Sequence, residues 1–315
     1  MLAYFPFIRL FSIRAFPNCV LFATLDQPCE HVLTQRSKTP HTAPNLAPVA
    51  SQLTSIGRKS PDKVSALKDS HTSAKGCRFL QVLKQLAIRN RILRALPAEE
   101  FARIVPHLKR VQLAKDEIIY LSGDAIEHVY LLESGLVSLL STTDSGSNIE
   151  VAMISVEGVV GLPIILKNSS IPYEVSARFP TEAFKLRAEI FQAEFDRGQA
   201  LHEFVLRYLN VMITQIQQSS ICARFHRLDE TLSRWLLTVH DQVKTDTLIL
   251  TQQAISNALG VPRTAVTVAA GTLQRGGAIR YSRGKITILD RERLEASSCE
   301  CYRVVRDELH HFLNE

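Results

Sequence analysis

The chain has 315 residues, 46% apolar and 22% charged, with 13 glycines and 13 prolines, which leaves room for two domains of about 100–200 residues with cores of their own. These proportions exclude collagen-like, wholly disordered and disulfide-scaffold classes, and no uncharged apolar run reaches the ~18 residues of a membrane-spanning helix. The net charge of +6 is uneven: residues 1–78 carry that excess, while residues 251–291 hold Arg263, Arg275, Arg280, Arg283, Lys285 and Arg291 against Asp290 alone, a local basic field of the kind that meets polyanions.

The start is aromatic and apolar with Arg9 and Arg14, and residues 26–78 turn rich in Pro, Ser, Thr and Lys. Such a stretch buries too little apolar area to offset its ordering entropy, so residues 1–78 are read as a poorly ordered extension. The two arginines interrupt the apolar run expected of a signal peptide, although an acid-free, Arg-containing start also suits an organellar transit peptide. Order is expected from Phe79, where Leu80, Leu83, Leu86, Leu93 and Leu96 recur at helical spacing.

From Val111 the period becomes that of strands. Runs at Val111–Leu113, Ile118–Leu121, Val129–Leu132, Leu136–Leu140, Ile149–Ile154, Val159–Leu166 and Tyr173–Leu186 are punctuated by Gly and Asp, which predicts an antiparallel β jelly roll within residues 79–187. A long helix is expected over residues 188–224, broken at most near Gly198. Its stripe of Leu201, Val205, Tyr208, Met212 and Ile216 is assigned to dimerisation, with Phe204 and Val211 beside it.

Residues 225–291 carry the motif. Leu228, Leu232, Trp235, Leu236 and Val239 give a helix. In LTQQAISNALGVPRTAVTVAAGTLQRGGAIR, Thr251 is an N-cap, Ala254, Ile255, Ala258 and Leu259 face inward, and Gly260 permits a tight turn before Pro262 starts a second helix. Val266, Ala269, Ala270 and Leu273 are that helix's buried face, leaving Arg263, Thr264 and Thr267 outward on its first turns. Ile279–Tyr281, Ser282-Arg283-Gly284 and Lys285–Leu289 read as a hairpin with a basic tip. Helix, turn, helix and wing together predict double-stranded DNA as the partner: Arg263, Thr264 and Thr267 for base edges, Arg283 and Lys285 for phosphates.

The fold class is therefore α+β: a jelly-roll sensor domain, a long dimerisation helix and a C-terminal winged helix-turn-helix, closed by a helix in residues 292–315. In this order the elements resemble the Crp/Fnr family of bacterial transcription regulators over residues 85–295, most closely in LTQQAISNALGVPRTAV and RGKITILDRERLE. The resemblance implies a homodimer reading an inverted repeat, with RNA polymerase as a candidate partner, and the scattered cysteines fit a reducing cytoplasm. It also gives Gln253 a phosphate-contacting role, Arg263 a guanine-reading one and Thr264 the next base-reading position. Well-known members carry Glu after that Arg and a second Arg five residues on; Thr264 and Val268 stand there, so a different operator is expected.

The resemblance also sets out what is missing. Members that bind cyclic nucleotides pair Gly-Glu with a following Arg-Ser or Arg-Thr, because an Arg must neutralise the cyclic phosphate. This chain has Gly161-Leu162 and no Arg through Ser169–Glu174, and an uncompensated phosphate in an apolar pocket is costly, so no cyclic AMP binding and no other cofactor are expected. Cys19, Cys29 and Cys77 lack iron–sulfur spacing.

The six cysteines form neither a disulfide framework nor a repeated zinc pattern, and no metal is assigned. Cys222 and His226, four apart, are read as hinge residues rather than as redox or metal sensors; Cys299 and Cys301 are read as structural. His107 and His128 give no ligand set for a jelly-roll enzyme, and no catalytic motif is present. The alternative is a jelly-roll and winged-helix protein that acts through protein contacts alone.

Overall fold

Asn90 caps the first described helix, α1 (Arg91–Ala95), by accepting from the Leu93 backbone N–H. The same buried side chain donates to the carbonyls of Leu132 and Gly158, so one residue starts the helix and ties it to the sheet. The computed structural model describes Gln85 and residues 87–314. The extension expected over residues 1–78, the start of order at Phe79, and Cys19, Cys29 and Cys77 lie outside the described residues. A second helix, α2 (Ala98–Ile104), follows.

Eight strands then divide between two four-stranded sheets: β1 (Lys109–Leu113), β2 (Ile118–Tyr120), β3 (His128–Ser134), β4 (Val137–Thr142), β5 (Asn148–Ile154), β6 (Val159–Val160), β7 (Glu174–Ala177) and β8 (Thr181–Arg187). The sheet orders are β1-β8-β3-β6 and β2-β7-β4-β5, and every pairing is antiparallel. The expected jelly roll is therefore present, with Val129, Leu131, Leu139, Ile154, Val175 and Phe184 among its buried residues. The apolar run after Val159 pairs for only two residues. Gly161 turns left-handed (φ 96°) and Pro163 removes a donor, so Leu162–Leu166 coils into a 3-10 turn instead.

Helix α3 (Ala188–Phe195) is separated by a left-handed Gly198 (φ 66°) from α4 (Ala200–Phe225), whose 26 residues reach about 39 Å. The stripe assigned to dimerisation is corrected here. Leu201, Val205, Tyr208 and Met212 are buried in the chain's own core, at 3% exposure or less, because this face of α4 closes the jelly roll. Gly158 makes room for it: a Cβ there would sit 2.0 Å from the Tyr208 hydroxyl. Of the five residues, Ile216 alone is exposed, and it joins a different stripe with Leu206 and Ile213, each more than 40% exposed. A final helix, α9 (Cys301–Asn314), folds back on α4, placing Phe312 against Tyr208 with ring centroids 5.7 Å apart.

The second core belongs to α5 (Leu228–Val243), β9 (Thr247–Ile249), α6 (Gln252–Leu259), α7 (Arg263–Arg275), β10 (Ile279–Ser282), β11 (Lys285–Ile288) and α8 (Arg291–Ala296). Leu232, Leu236, Ile255, Val266, Leu273 and Ile286 meet there, over a three-stranded sheet in the order β10-β11-β9. A buried polar link joins the two cores. Glu150 of β5 accepts from the Trp235 indole N–H of α5 at 2.6 Å, from Arg178 at 3.0 Å and from the Ser138 hydroxyl. The carboxylate and guanidinium are almost fully buried, and such a pair is better tolerated when further hydrogen bonds support it, here from Trp235 and Ser138 to the carboxylate and from Arg178 Nε to the Ser138 hydroxyl. No described helix is long and apolar enough to cross a membrane.

Candidate nucleic-acid interface

The two helices of the motif form as local chemistry dictates. The Thr251 hydroxyl caps α6 by accepting from the Ala254 N–H, and Gly260 ends it at φ 65°; a left-handed residue here satisfies a last-turn carbonyl and reverses the chain. Pro262 occupies the N-cap of α7 in extended conformation, so its ring sets the entry of the helix without forfeiting a needed donor. Val266, Ala269, Ala270 and Leu273 are buried, as their spacing predicts.

The opposite face of α7 is open. Arg263, Thr264 and Thr267 are all exposed on its first two turns. The Thr267 hydroxyl donates to the Arg263 carbonyl at 3.0 Å, which fixes its rotamer and leaves its lone pairs and methyl outward. Val268 is 69% exposed, one turn beyond Thr264. A large apolar side chain held in water on this face suits contact with a thymine methyl. Sequence reasoning registered Val268 only as a departure from a pattern; its place outside the Val266–Ala269–Ala270–Leu273 stripe was the signal for more.

The wing is built by a two-residue turn. Arg283 and Gly284 both have positive φ, 48° and 75°, as a tight hairpin turn matching strand twist requires. Ser282 pairs with Lys285 across it, so Arg283 and Lys285 project together. Arg280, Ser282, Arg283, Lys285 and Thr287 line one shallow hollow. Arg280, outward between buried Ile279 and half-buried Tyr281, thus joins the two wing residues singled out from the sequence. The alternation along β10 carried that information.

The wing is held against the helices. The Leu250 N–H donates to the Gly284 carbonyl at 2.9 Å, and the Tyr281 N–H donates to Gln274 at 2.7 Å. Burial pushes the Tyr281 hydroxyl up, while Arg263 and the Gln252 backbone N–H pull it the other way, which puts wing, α6 start and α7 start in one neighbourhood. Gln253 is exposed on the first turn of α6 and donates to Asn257 at 2.7 Å, leaving its second amide hydrogen for a ligand. Among the described residues, Arg263, Arg280, Arg283 and Lys285 form no ion pair with a carboxylate. The arrangement is a basic surface with directional donors and one apolar contact, suited to a nucleic-acid duplex.

The structure also joins residues that the sequence had kept apart. Cys222 and His226 lie at the end of α4, Cys299 lies between α8 and α9, and Cys301 opens α9. Their side chains converge, with the Cys222 and Cys299 sulfurs 3.5 Å apart across 77 positions of sequence. Neither short spacing contained this juxtaposition, which depends on α9 folding back along α4.

Comparisons with known proteins agree with this geometry. Residues 110–197 match the cyclic nucleotide-binding domain and residues 230–297 the Crp-like helix-turn-helix domain. The chain is 28% identical over 189 residues to the global nitrogen regulator of Synechococcus elongatus, covering 57% of this chain and 85% of that protein. Among solved structures, a Crp/Fnr-family transcriptional regulator from Eubacterium rectale superimposes with a TM-score of 0.54 at 23% identity, covering 64% of this chain and 94% of that one. A CRP-family transcriptional regulator from Thermus thermophilus gives 0.52 at 23%, covering 60% and 96%.

Proposed function

As a member of the Crp/Fnr family and hence a DNA-binding transcription regulator, this chain acts, we propose, as a homodimer that reads an inverted repeat without cyclic AMP. Arg263, Thr264 and Thr267 read base edges, with Val268 beside them, and Gln253, Arg283 and Lys285 hold phosphates. The observation that carries this reading is the open, carboxylate-free face shared by the start of α7 and the wing. A surface used for protein contacts alone has no need of so many unpaired cations beside directional donors.

The dimer is supported by the outer face of α4. Leu206, Leu209, Ile213, Ile216, Ser220 and Ala223 recur at intervals of three and four, the spacing of a two-stranded coiled-coil seam, and Leu206, Ile213 and Ile216 are exposed in the single chain. Pairing along this seam sets two α7 helices for half-sites about 34 Å apart. Independence from cyclic AMP is supported by the interior at Gly161–Glu174, where Leu162, Ile165 and Ile171 are buried and no Arg is present. RNA polymerase as a contact, and a place in the cytoplasm, belong to the same reading.

Selection of bound sequences from a random duplex pool tests it. The full chain without added nucleotide is expected to enrich an inverted repeat that Arg263→Ala fails to enrich. Enrichment of no sequence, or enrichment only with cyclic AMP present, contradicts the reading. Ile213→Glu, which puts a charge in the seam of both subunits, is expected to give a monomer by sedimentation and to weaken operator binding by about 100-fold or more through lost bivalency.

A further inference from the structure

The residues at the joint between α4 and the winged domain have the composition of a metal site. One Sγ from each of Cys222, Cys299 and Cys301 and one ring nitrogen of His226 all lie within 4.8 Å of one another. The Cys222 and Cys299 sulfurs are 3.5 Å apart, and the Cys301 sulfur is 3.6 Å from His226 Nδ1. A tetrahedral zinc ion with bonds of about 2.3 Å to sulfur and 2.0 Å to nitrogen holds its ligand atoms about 3.5–3.8 Å apart, so the Cys222–Cys299 and Cys301–His226 separations are those of ligands sharing one ion, and the other pairs, within 4.8 Å, reach it by small side-chain rotations.

The side chains around the cluster suit a bound cation. His226 Nε2 lies 3.2 Å from a Glu300 carboxylate oxygen, which fixes the tautomer that leaves Nδ1 unprotonated toward the sulfurs, the arrangement by which a carboxylate orients a metal-bound histidine. The three cysteines are at most 6% exposed, as a structural rather than a reactive thiol site requires. Arg234 has a buried Nε with no hydrogen-bond partner, and its charge acts on all three sulfurs. Three thiolates and one divalent ion leave a single negative charge, which this guanidinium offsets.

We propose that Cys222, His226, Cys299 and Cys301 bind one zinc ion that staples the end of α4 to the segment entering α9. Binding releases three thiol protons to solvent, and His226 binds through Nδ1 as the neutral imidazole. Three sulfurs and one nitrogen in tetrahedral proximity select zinc among common divalent ions, and an iron–sulfur cluster, whose ligands sit on different irons, needs them further apart. His226 is the residue at which α4 ends, and Arg227 occupies the N-cap position of α5, its backbone N–H donating to Glu230, so the ion sits on the hinge between the long helix and the DNA-binding domain. Holding that hinge sets the direction in which α7 is presented.

The test uses the full chain purified under reducing conditions. Elemental analysis is expected to give one zinc per chain. After the zinc is removed by a chelator, titration with cobalt(II) is expected to produce the intense d–d bands of a tetrahedral thiolate site, saturating at one equivalent and abolished by added zinc. Glu300→Gln should keep the stoichiometry with weaker affinity, about 10-fold or more, and C299S/C301S should lose the bands. Because that double variant can fail to fold, cobalt uptake by the unaltered chain decides: a folded, fully reduced chain that takes up no cobalt overturns the proposal. So does a native Cys222–Cys299 disulfide by mass spectrometry, or cobalt bands that persist in a folded C299S/C301S variant.

Discussion

The jelly roll and the winged domain use charge in opposite ways. In the jelly roll, Glu150 and Arg178 are buried and bonded to each other and to Ser138 and Trp235, and Glu133 accepts from the backbone N–H groups of Arg89 and Asn90. Each side chain is spent on architecture. On the winged domain, Arg263, Arg280, Arg283 and Lys285 stand exposed and without carboxylate partners among the described residues, so their charge remains available to a ligand. Buried charge should therefore carry stability and exposed charge binding, and substitutions can separate the two.

The largest effect is expected in the first region. Glu150→Ala leaves Arg178 buried without its counter-charge and Trp235 without an acceptor, at a cost of about 3–5 kcal/mol, read as a shift in the urea midpoint. An unchanged midpoint would show that the buried pair carries no stability. Arg263→Ala should do the reverse, leaving the midpoint unmoved while costing about 1–3 kcal/mol per half-site in specific binding, read by fluorescence anisotropy on operator and scrambled duplexes.

A third effect depends on pH. Glu157 is buried, accepts from Gln242 of α5 at 3.0 Å, and has its carboxyl pushed up from 4.5 to about 7 by burial. The folded chain thus holds this proton more tightly than the unfolded one. Its stabilising contribution is complete below about pH 4.5 and is lost as pH rises through about 7, amounting to at most about 3 kcal/mol. Glu157→Gln should be the more stable protein at pH 8, and denaturation series at pH 5 and pH 8 should show a smaller difference for it than for the unaltered chain. The smallest effect is Lys285→Ala, which should weaken operator and scrambled DNA alike and reduce the steepness of the salt dependence by about one per half-site, about two for the dimer.

The same contrast explains what was legible in the sequence. Local signals were readable: the cap at Thr251, the turn at Gly260, the Val266–Leu273 stripe and the Arg283-Gly284 turn all act within a few residues, and each stands where its chemistry places it. Burial by distant partners was not. The stripe Leu201–Val205–Tyr208–Met212 is apolar enough to meet a second chain, but the jelly roll covers it, and the seam at Leu206 and Ile213 lies on an adjoining, exposed flank of the same helix. A helix apolar on two faces does not say which one its own chain takes. The four-residue cluster at the hinge was hidden for the same reason, since its halves are brought together only by the return of α9.

Sequence reading by α7 with no nucleotide bound requires a preference for operator that owes nothing to an added ligand. Its most direct test is the ratio of affinities of the full chain for its selected operator and for a scrambled duplex of equal length, measured at two salt concentrations without cyclic AMP. A ratio of about 1,000 or more, reduced by Arg263→Ala, is the predicted result. Equal affinities for the two duplexes, or a preference that emerges only when cyclic AMP is added, would contradict it.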